Sequence, residues 1–197
     1  MRFNPEIHRR HSVRLKGYDY TEPGAYFVTI CTWNRECLFG EICDGKMLLS
    51  GLGEVVSDEW CRTATARSHV TLDEFSIMPN HVHGILCIDH QGKGKARLAP
   101  TTAQFGHPVA GSLAMIIGAF KSASTKRINK IRNMPGASLW QRNYYEHIVR
   151  SERELTPIRE YIATNAARWS EDSENPNYVG KLQCDVALQK ICDGSAV

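Results

Sequence analysis

The chain has little of what marks membrane, secreted or zinc-binding proteins. No stretch approaches the roughly 20 consecutive apolar residues of a membrane-spanning helix. Residues 1–14 are basic and polar and contain no apolar segment, so we expect no signal peptide and a cytoplasmic protein. The seven cysteines are odd in number and scattered without a C-x-x-C pair. This pattern argues against a disulfide framework and against a structural zinc site.

Composition indicates a single globular domain with flanking segments. The 197 residues are 42% hydrophobic and 23% charged, which suits a soluble domain with its own core. The net charge of +3 is too small to indicate a partner, but the positive charge is clustered. We expect a basic arm over 1–20, the main domain over 21–170 and a tail over 171–197. A long loop is predicted over 89–110, which is rich in glycine, proline, lysine and threonine.

The periodicity of the apolar residues predicts an order of strands and helices. β-Branched and aromatic residues over 25–32 indicate a core strand, and Asp44-Gly45 indicates a two-residue hairpin turn. Further strands are predicted over 72–77, 81–88 and 139–149, and helices over 53–65, 112–131 and 151–169. The strands outnumber the crossovers that a parallel sheet needs. The order therefore favours an α+β fold, ferredoxin-like or RRM-like, with an antiparallel sheet and helices packed on one or both faces.

Two histidines stand at the start of an apolar run that is typical of a buried strand. His81 and His83 are separated by one residue, and residues i and i+2 of a strand point to the same side of the sheet. The strand would therefore present two imidazole ligands side by side. A pair of this kind is an incomplete metal site, and either histidine could also be a satisfied structural residue.

The third predicted helix carries a polar pair of its own. Tyr161 and Asn165 are four residues apart, so they lie on one helix face at the margin of an apolar stripe. The start of this helix is open: Ser151 and Glu154 would form a capping box, whereas Pro157 fits best at the first position of a helix. Both alternatives keep Tyr161 and Asn165 on the same face.

These four side chains together suggest phosphoryl chemistry. His81, His83 and the amide oxygen of Asn165 could hold a divalent ion through three ligands, with open positions for a phosphate oxygen. Imidazoles suit Mn²⁺ or Zn²⁺ better than Mg²⁺. Tyr161 could then act as a nucleophile if its surroundings favour the phenolate. Attack on a phosphodiester would form a phosphotyrosine and release a sugar hydroxyl, so no external energy source is needed.

At this point the motifs resemble a known family. His81-Val82-His83 before an apolar strand resembles the HUH signature of single-strand DNA nucleases, and 161–165 (YIATN) resembles the Tyr-Ile-x-x-Asn motif of one-tyrosine HUH transposases. The resemblance is closest to the REP-associated tyrosine transposases of bacteria. It includes the segments 14–20, 24–29 and 140–145, and it covers the chain from about 9 to 169. Relatives often have proline after the motif asparagine, where this chain has Ala166, and we expect this difference to alter the helix end.

The resemblance implies a metal-dependent transesterase that acts on single-stranded DNA with hairpin-forming repeats. Tyr161 would form a 5′-phosphotyrosine and leave a 3′-OH, and His81, His83 and Asn165 would hold Mg²⁺ or Mn²⁺. The protein would be nucleoid-associated, without a membrane partner, and either a monomer or a homodimer. Tyr144 and Tyr145 are competing nucleophiles, although a strand-like run favours packing or base stacking for them.

Two basic clusters lack balancing acids, and phosphate contacts are the natural use of such clusters. We expect DNA contacts from seven basic residues: Arg9, Arg10, Arg14, Lys121, Lys126, Arg127 and Arg142. The principal alternative to the enzyme is a domesticated protein that binds hairpin DNA without cleaving it. A metal hydrolase of small substrates is a further alternative, and its activity would not depend on Tyr161.

Overall fold

The computed structural model describes residues 18–89 and 109–178. Several of the predictions fall outside these residues. They are most of the basic arm, with Arg9, Arg10 and Arg14, most of the predicted loop over 89–110, and the tail from residue 179.

Six strands and three α-helices make up the described fold. In chain order they are β1 (Gly24–Cys31), β2 (Gly40–Cys43), β3 (Lys46–Leu49), α1 (Gly51–Thr65), β4 (Val70–Ile77), β5 (His81–Ile88), α2 (Leu113–Ile131), β6 (Tyr145–Val149) and α3 (Glu152–Thr164). Short 3-10 segments lie at Trp33–Arg35 and Ala166–Glu171. No helix within the described residues is both long enough and apolar enough to cross a membrane.

The main sheet has four strands in the order β4-β5-β1-β6, and every neighbouring pair is antiparallel. This is the order of a ferredoxin-like sheet, so the predicted α+β class is confirmed. Strands β2 and β3 form a separate hairpin. Its turn is Asp44-Gly45, and both residues have positive φ (49° and 71°), as a type I′ turn requires.

Helices cover both faces of the main sheet, and side-chain alternation along β1 decides which residues meet which helix. Tyr26, Val28 and Ile30 belong to a buried cluster that includes residues of α1 and α2. Phe27 belongs to a second cluster with Ile85 and the apolar residues of α3. This second cluster is smaller, and it lies on the face of the sheet that also carries His81 and His83.

The start of α3 resolves the two alternatives that the sequence left open. The helix begins at Glu152 and keeps Pro157 in its interior, so the longer helix is the one observed. The predicted capping box is wrong, because the Ser151 side chain makes no cap hydrogen bond. The carboxylate of Glu154 instead accepts a hydrogen bond from the backbone N–H of Arg150 at 3.0 Å.

Two predicted elements are shorter than expected. The strand predicted over 139–149 begins at Tyr145, and Trp140 forms only an isolated bridge with Thr32 among the described residues. Between them the chain bends at Arg142, where Lys121 donates hydrogen bonds to the carbonyl groups of residues 141–143. The helix predicted to reach 169 ends at Thr164 and continues as a 3-10 segment.

Candidate active site

The two imidazoles on β5 converge on a single point. His81 and His83 lie on the same face of the strand, and their Nε2 atoms are 2.9 Å apart. Both residues are almost completely buried, at 0% and 1% exposed. Two nitrogens at this separation can each lie about 2.1 Å from one metal ion, which is an ordinary metal–imidazole distance.

Asn80 fixes the orientation and the tautomer of His81. The Asn80 amide nitrogen donates to the backbone carbonyls of Arg35 (3.1 Å) and Glu174 (2.7 Å), so its Oδ1 is left as the acceptor. His81 Nδ1 lies 2.8 Å from that Oδ1 and therefore carries the proton. The lone pair of His81 is consequently on Nε2, the atom that faces His83.

His83 is held from the neighbouring strand. Thr29 lies opposite it in the β1–β5 register, and the Thr29 hydroxyl is 2.8 Å from His83 Nδ1. The ring of Phe27 stacks on the imidazole with centroids 5.6 Å apart. These contacts set the imidazole plane before any ligand binds, as the hydrogen bonds behind metal-binding histidines commonly do.

Burial keeps both imidazoles neutral at physiological pH. It lowers the pKa of His83 to about 3. The pKa of His81 is also lowered well below its ordinary value, first by burial and then by the nearby His83 and Arg35. If both Nδ1 atoms carry protons, two lone pairs face each other across 2.9 Å. That arrangement is repulsive unless a proton or a cation lies between them, so the donor set fits a metal ion.

Asp172 is the site residue that the sequence interpretation missed. Its Oδ2 lies 3.6 Å from His81 Nε2 and forms no hydrogen bond within the described residues. Burial raises the pKa of this carboxyl group. His81, His83 and Asp172 form a group whose ligand atoms all lie within 4.8 Å of one another. The available sequence signal, a spacing of seven residues after Asn165, is weak because α3 has already ended.

Asn165 lies at the same place, next to Asp172. It is 2% exposed, and its amide lowers the pKa of the Asp172 carboxyl group against the larger opposite effect of burial. The Asn165 amide nitrogen does not reach hydrogen-bonding geometry with any described group. Asn165 is therefore a buried neighbour of Asp172, the carboxylate that lies beside His81.

Tyr161 reaches the imidazoles from α3. Its hydroxyl lies 3.3 Å from His83 Nε2, and the two ring centroids are 5.2 Å apart. The edge of the Phe27 ring holds the phenol in a T-shaped contact at 6.2 Å. The structure thus brings His83 within hydrogen-bonding distance of both Tyr161 and His81, and Asn165 lies beside Asp172, whose carboxylate is 3.6 Å from His81.

The predicted DNA-binding residues on α2 and the following loop fall into two groups. Arg127 forms ion pairs with Glu59 at 2.7 Å and with Asp58 at 3.3 Å. The ammonium group of Lys121 is occupied by backbone carbonyls, and burial lowers its pKa to about 8. The other two, Lys126 and Arg142, are exposed to solvent.

The competing tyrosines occupy other positions. Tyr145 packs edge-on against Phe27 with centroids 6.1 Å apart. The ammonium group of Lys121 lies 5.5 Å from the centre of the Tyr144 ring. Both rings therefore take part in packing contacts, and the choice of Tyr161 as the nucleophile stays a prediction.

Known proteins share this fold and much of this sequence. The chain is 42% identical over 174 residues to a Haemophilus influenzae protein described as uncharacterized, which covers 87% of this chain and 96% of that protein. No protein-family model matches the chain. A solved REP-associated tyrosine transposase bound to a REP hairpin superimposes with a TM-score of 0.54 and 14% identity. That superposition covers 84% of this chain and 76% of the other chain.

The fold and the buried imidazole pair define an α+β protein with a candidate metal-binding site on one face of its sheet. The chain belongs to the same family as the Haemophilus influenzae protein. At 14% identity, the likeness to the solved transposase is a likeness of fold.

Proposed function

We propose that the protein is a metal-dependent transesterase that cleaves and joins single-stranded DNA through Tyr161. The observation that carries this proposal is the 3.3 Å separation between the Tyr161 hydroxyl and His83 Nε2. A nucleophile and a candidate metal centre thereby share one small site. The shared fold with a transposase that was solved bound to a REP hairpin supports hairpin-forming DNA as the substrate class.

The chain offers four donors for a divalent ion. His81 and His83 would supply nitrogens, and Asn165 and Asp172 would supply oxygens. An ion bound there would polarise a phosphodiester oxygen as a Lewis acid. Two imidazoles favour Mn²⁺ over Mg²⁺, whereas the two oxygen donors suit either ion.

In the proposed reaction a phosphotyrosine ester replaces one ester bond of the DNA phosphodiester. The Tyr161 oxygen forms a bond to phosphorus as the bond from phosphorus to the 3′ oxygen breaks. The proton that the phenol loses is matched by the proton that the departing 3′ oxygen gains. The products are a 5′-phosphotyrosine and a 3′-OH, and reversal with another 3′-OH joins strands.

One observation favours a protein that binds hairpin DNA without cleaving it. Both imidazoles are almost inaccessible, and the backbone carbonyl of Glu174 accepts a hydrogen bond from Asn80 beside them. Glu174 also pairs with Arg35 at 2.8 Å. If the contacts that bury the imidazoles stay as they are, a phosphate has little access to the site. Cleavage therefore requires some of these contacts, such as the hydrogen bond between Asn80 and Glu174, to open.

A covalent-adduct assay separates these functions. The full-length protein is incubated with Mn²⁺ or Mg²⁺ and a labelled hairpin that carries single-stranded flanks, taken from palindromic repeats of the host genome. The proposal predicts a denaturation-resistant protein–DNA adduct in the wild type and in the matched control Tyr145→Phe, but not in Tyr161→Phe. Hairpin binding without cleavage under either metal would favour the non-cleaving protein. Cleavage that persists in Tyr161→Phe would instead indicate a metal hydrolase.

A further inference from the structure

A concavity lined by several cationic side chains lies along α2. Its volume is about 830 Å³, and it is bounded by one stripe of α2 and by the loop 133–142. The helix residues on its wall recur at positions 121, 122, 125, 126, 129 and 130. This spacing of three and four residues corresponds to one face of an α-helix. We call this feature the α2 groove.

The charge of the α2 groove has one sign. Lys121, Lys126, Lys130 and Arg142 line it, and no aspartate or glutamate is among the described residues on its walls. Lys126, Lys130 and Arg142 are exposed, and their side chains have no hydrogen-bond or ion-pair partner within residues 18–89 and 109–178. Three unpaired cations along one groove favour a polyanionic ligand.

Arg127 marks the boundary of this charged surface. It follows Lys126 directly but is rotated about 100° around the helix, and it is not on the groove wall. Its guanidinium group pairs with Glu59 and Asp58 of α1 instead. Arg127 therefore links α2 to α1, whereas Lys126 and Lys130 lie on the groove.

The loop wall of the groove is rigidly built. Lys121 donates to the carbonyls of Gln141 at 2.8 Å and Asn143 at 3.1 Å. The indole N–H of Trp140 donates to Ser124 at 2.9 Å, and the amide of Asn129 donates to Ala137 at 2.7 Å. These bonds fix Arg142 opposite the helix before any ligand binds.

The groove is connected to the imidazole site through β1. The backbone N–H of Gln141, at the end of the groove, donates to the carbonyl of Cys31 at 2.9 Å. Cys31 lies opposite His81 in the antiparallel register. A strand that leaves the imidazole site across the end of β1 would therefore meet the groove.

We infer that the α2 groove binds the sugar–phosphate backbone of a single-stranded segment of the same DNA that the imidazole site holds, with Lys126, Lys130 and Arg142 contacting phosphates. This inference rests on the proposed function for the identity of the ligand. It adds a second contact region outside the cleavage site. Lys121 positions the loop, and Arg127 makes no phosphate contact.

The test measures the salt dependence of DNA binding without cleavage. The full-length protein is titrated in EDTA against a labelled single-stranded oligonucleotide of mixed sequence at several NaCl concentrations. The triple variant Lys126→Gln, Lys130→Gln, Arg142→Gln should bind on the order of 10- to 100-fold more weakly at low salt. The slope of log K against log salt should become shallower by about 2, since each lost phosphate contact on a single strand contributes about 0.7.

A charge-matched control removes three exposed cations that lie outside the groove: Lys46→Gln, Arg62→Gln and Arg153→Gln. This control should keep most of the slope. An equal loss in both triple variants would overturn the inference, because binding would then follow net charge. An unchanged slope in the groove variant would also overturn it, as would a change seen only with duplex DNA.

The groove and the proposed function can fail separately. The groove variant retains Tyr161 and both histidines, so it should still form the covalent adduct at high DNA concentration. A shallower slope in the groove variant, together with an adduct that still forms, supports the inference that the α2 groove binds DNA. If the wild type forms no adduct but the groove variant still has the shallower slope, the result counts against the proposed cleavage and not against the α2 groove. The single variant Lys126→Gln, with an expected slope change of about 0.7, provides a check if the triple variant is unstable.

Discussion

Asn80 Oδ1 lies 2.8 Å from His81 Nδ1, and this contact determines which nitrogen of the imidazole is free to bind a ligand. The amide group of Asn80 cannot reverse its role, because its nitrogen already donates to two backbone carbonyls. Asn80 is therefore a positioning residue, because its hydrogen bond leaves the lone pair of His81 on Nε2.

The variant Asn80→Ala should weaken metal binding without removing a ligand. We expect Mn²⁺ affinity to fall on the order of 10- to 100-fold, because the tautomer and the ring orientation of His81 are no longer fixed. Isothermal titration calorimetry with Mn²⁺ measures this change. The exposed Asn177→Ala is the matched control and should bind as the wild type does. Equal affinity in all three proteins would show that Asn80 does not position His81.

Asp172→Ala tests the donor that the sequence interpretation missed. Its buried, unpaired oxygen close to His81 predicts a loss of Mn²⁺ affinity of about tenfold or more, at least as large as for an outer hydrogen-bond partner. Electron paramagnetic resonance of bound Mn²⁺ measures both occupancy and the change in donors. Glu171→Ala, which removes the exposed neighbouring carboxylate, should have no effect. A normal affinity in Asp172→Ala would leave Asn165 as the oxygen donor.

The absence of a side chain at Gly84, one residue after His83, lets Trp60 of α1 pack closely on the sheet. A Cβ atom on Gly84 would lie 2.3 Å from Cζ2 of Trp60, whose side chain is fully buried. Gly84→Ala should therefore lower the free energy of unfolding by about 1–3 kcal/mol, measured by urea denaturation. Gly118→Ala in α2 is the matched control, because nothing lies within 4 Å of its Cβ position. This change should stabilise the protein by about 0.5–1 kcal/mol, and equal effects at the two positions would contradict the packing argument.

The ion pair between Asp73 and Arg159 ties α3, and with it Tyr161, to β4. The hydrogen bond from Arg159, 2.6 Å at its shortest, is the main cause that holds the pKa of Asp73 below its ordinary value. A lowered folded-state pKa means that the stabilisation is present above the unfolded pKa and is lost as the pH falls through the folded value. The difference in unfolding free energy between wild type and Asp73→Asn should therefore shrink as the pH falls below about 4.

Urea titrations across this acidic range measure that difference. Asp58→Asn is a control, since its carboxylate is 66% exposed and pairs with Arg127 on another helix. Its difference from wild type should stay small throughout the range. A constant difference for Asp73→Asn would mean that the ion pair does not contribute to the pH dependence of stability.

Local sequence patterns predicted most of the strands and helices, because the formation of these elements depends largely on residues that are close in sequence. The i, i+2 spacing placed His81 and His83 on one face of β5, and the Asp44-Gly45 turn fixed the β2–β3 hairpin. The element order was sufficient for the α+β class. The same reasoning gave wrong bounds over 139–149, because the carbonyl contacts of Lys121 come from a helix about 20 residues away.

The sequence by itself determined which chemical groups are available: two imidazoles in register on a strand, and a phenol and an amide in register on a helix. The tertiary structure decided the approach of the phenol to the imidazoles, the approach of Asp172 to His81 and the pairing of Arg127 with α1. Periodicity fixes the face on which a side chain lies, because backbone geometry repeats over a few residues. The partner that this face meets depends on how distant segments pack, and spacing along the chain carries no record of that packing.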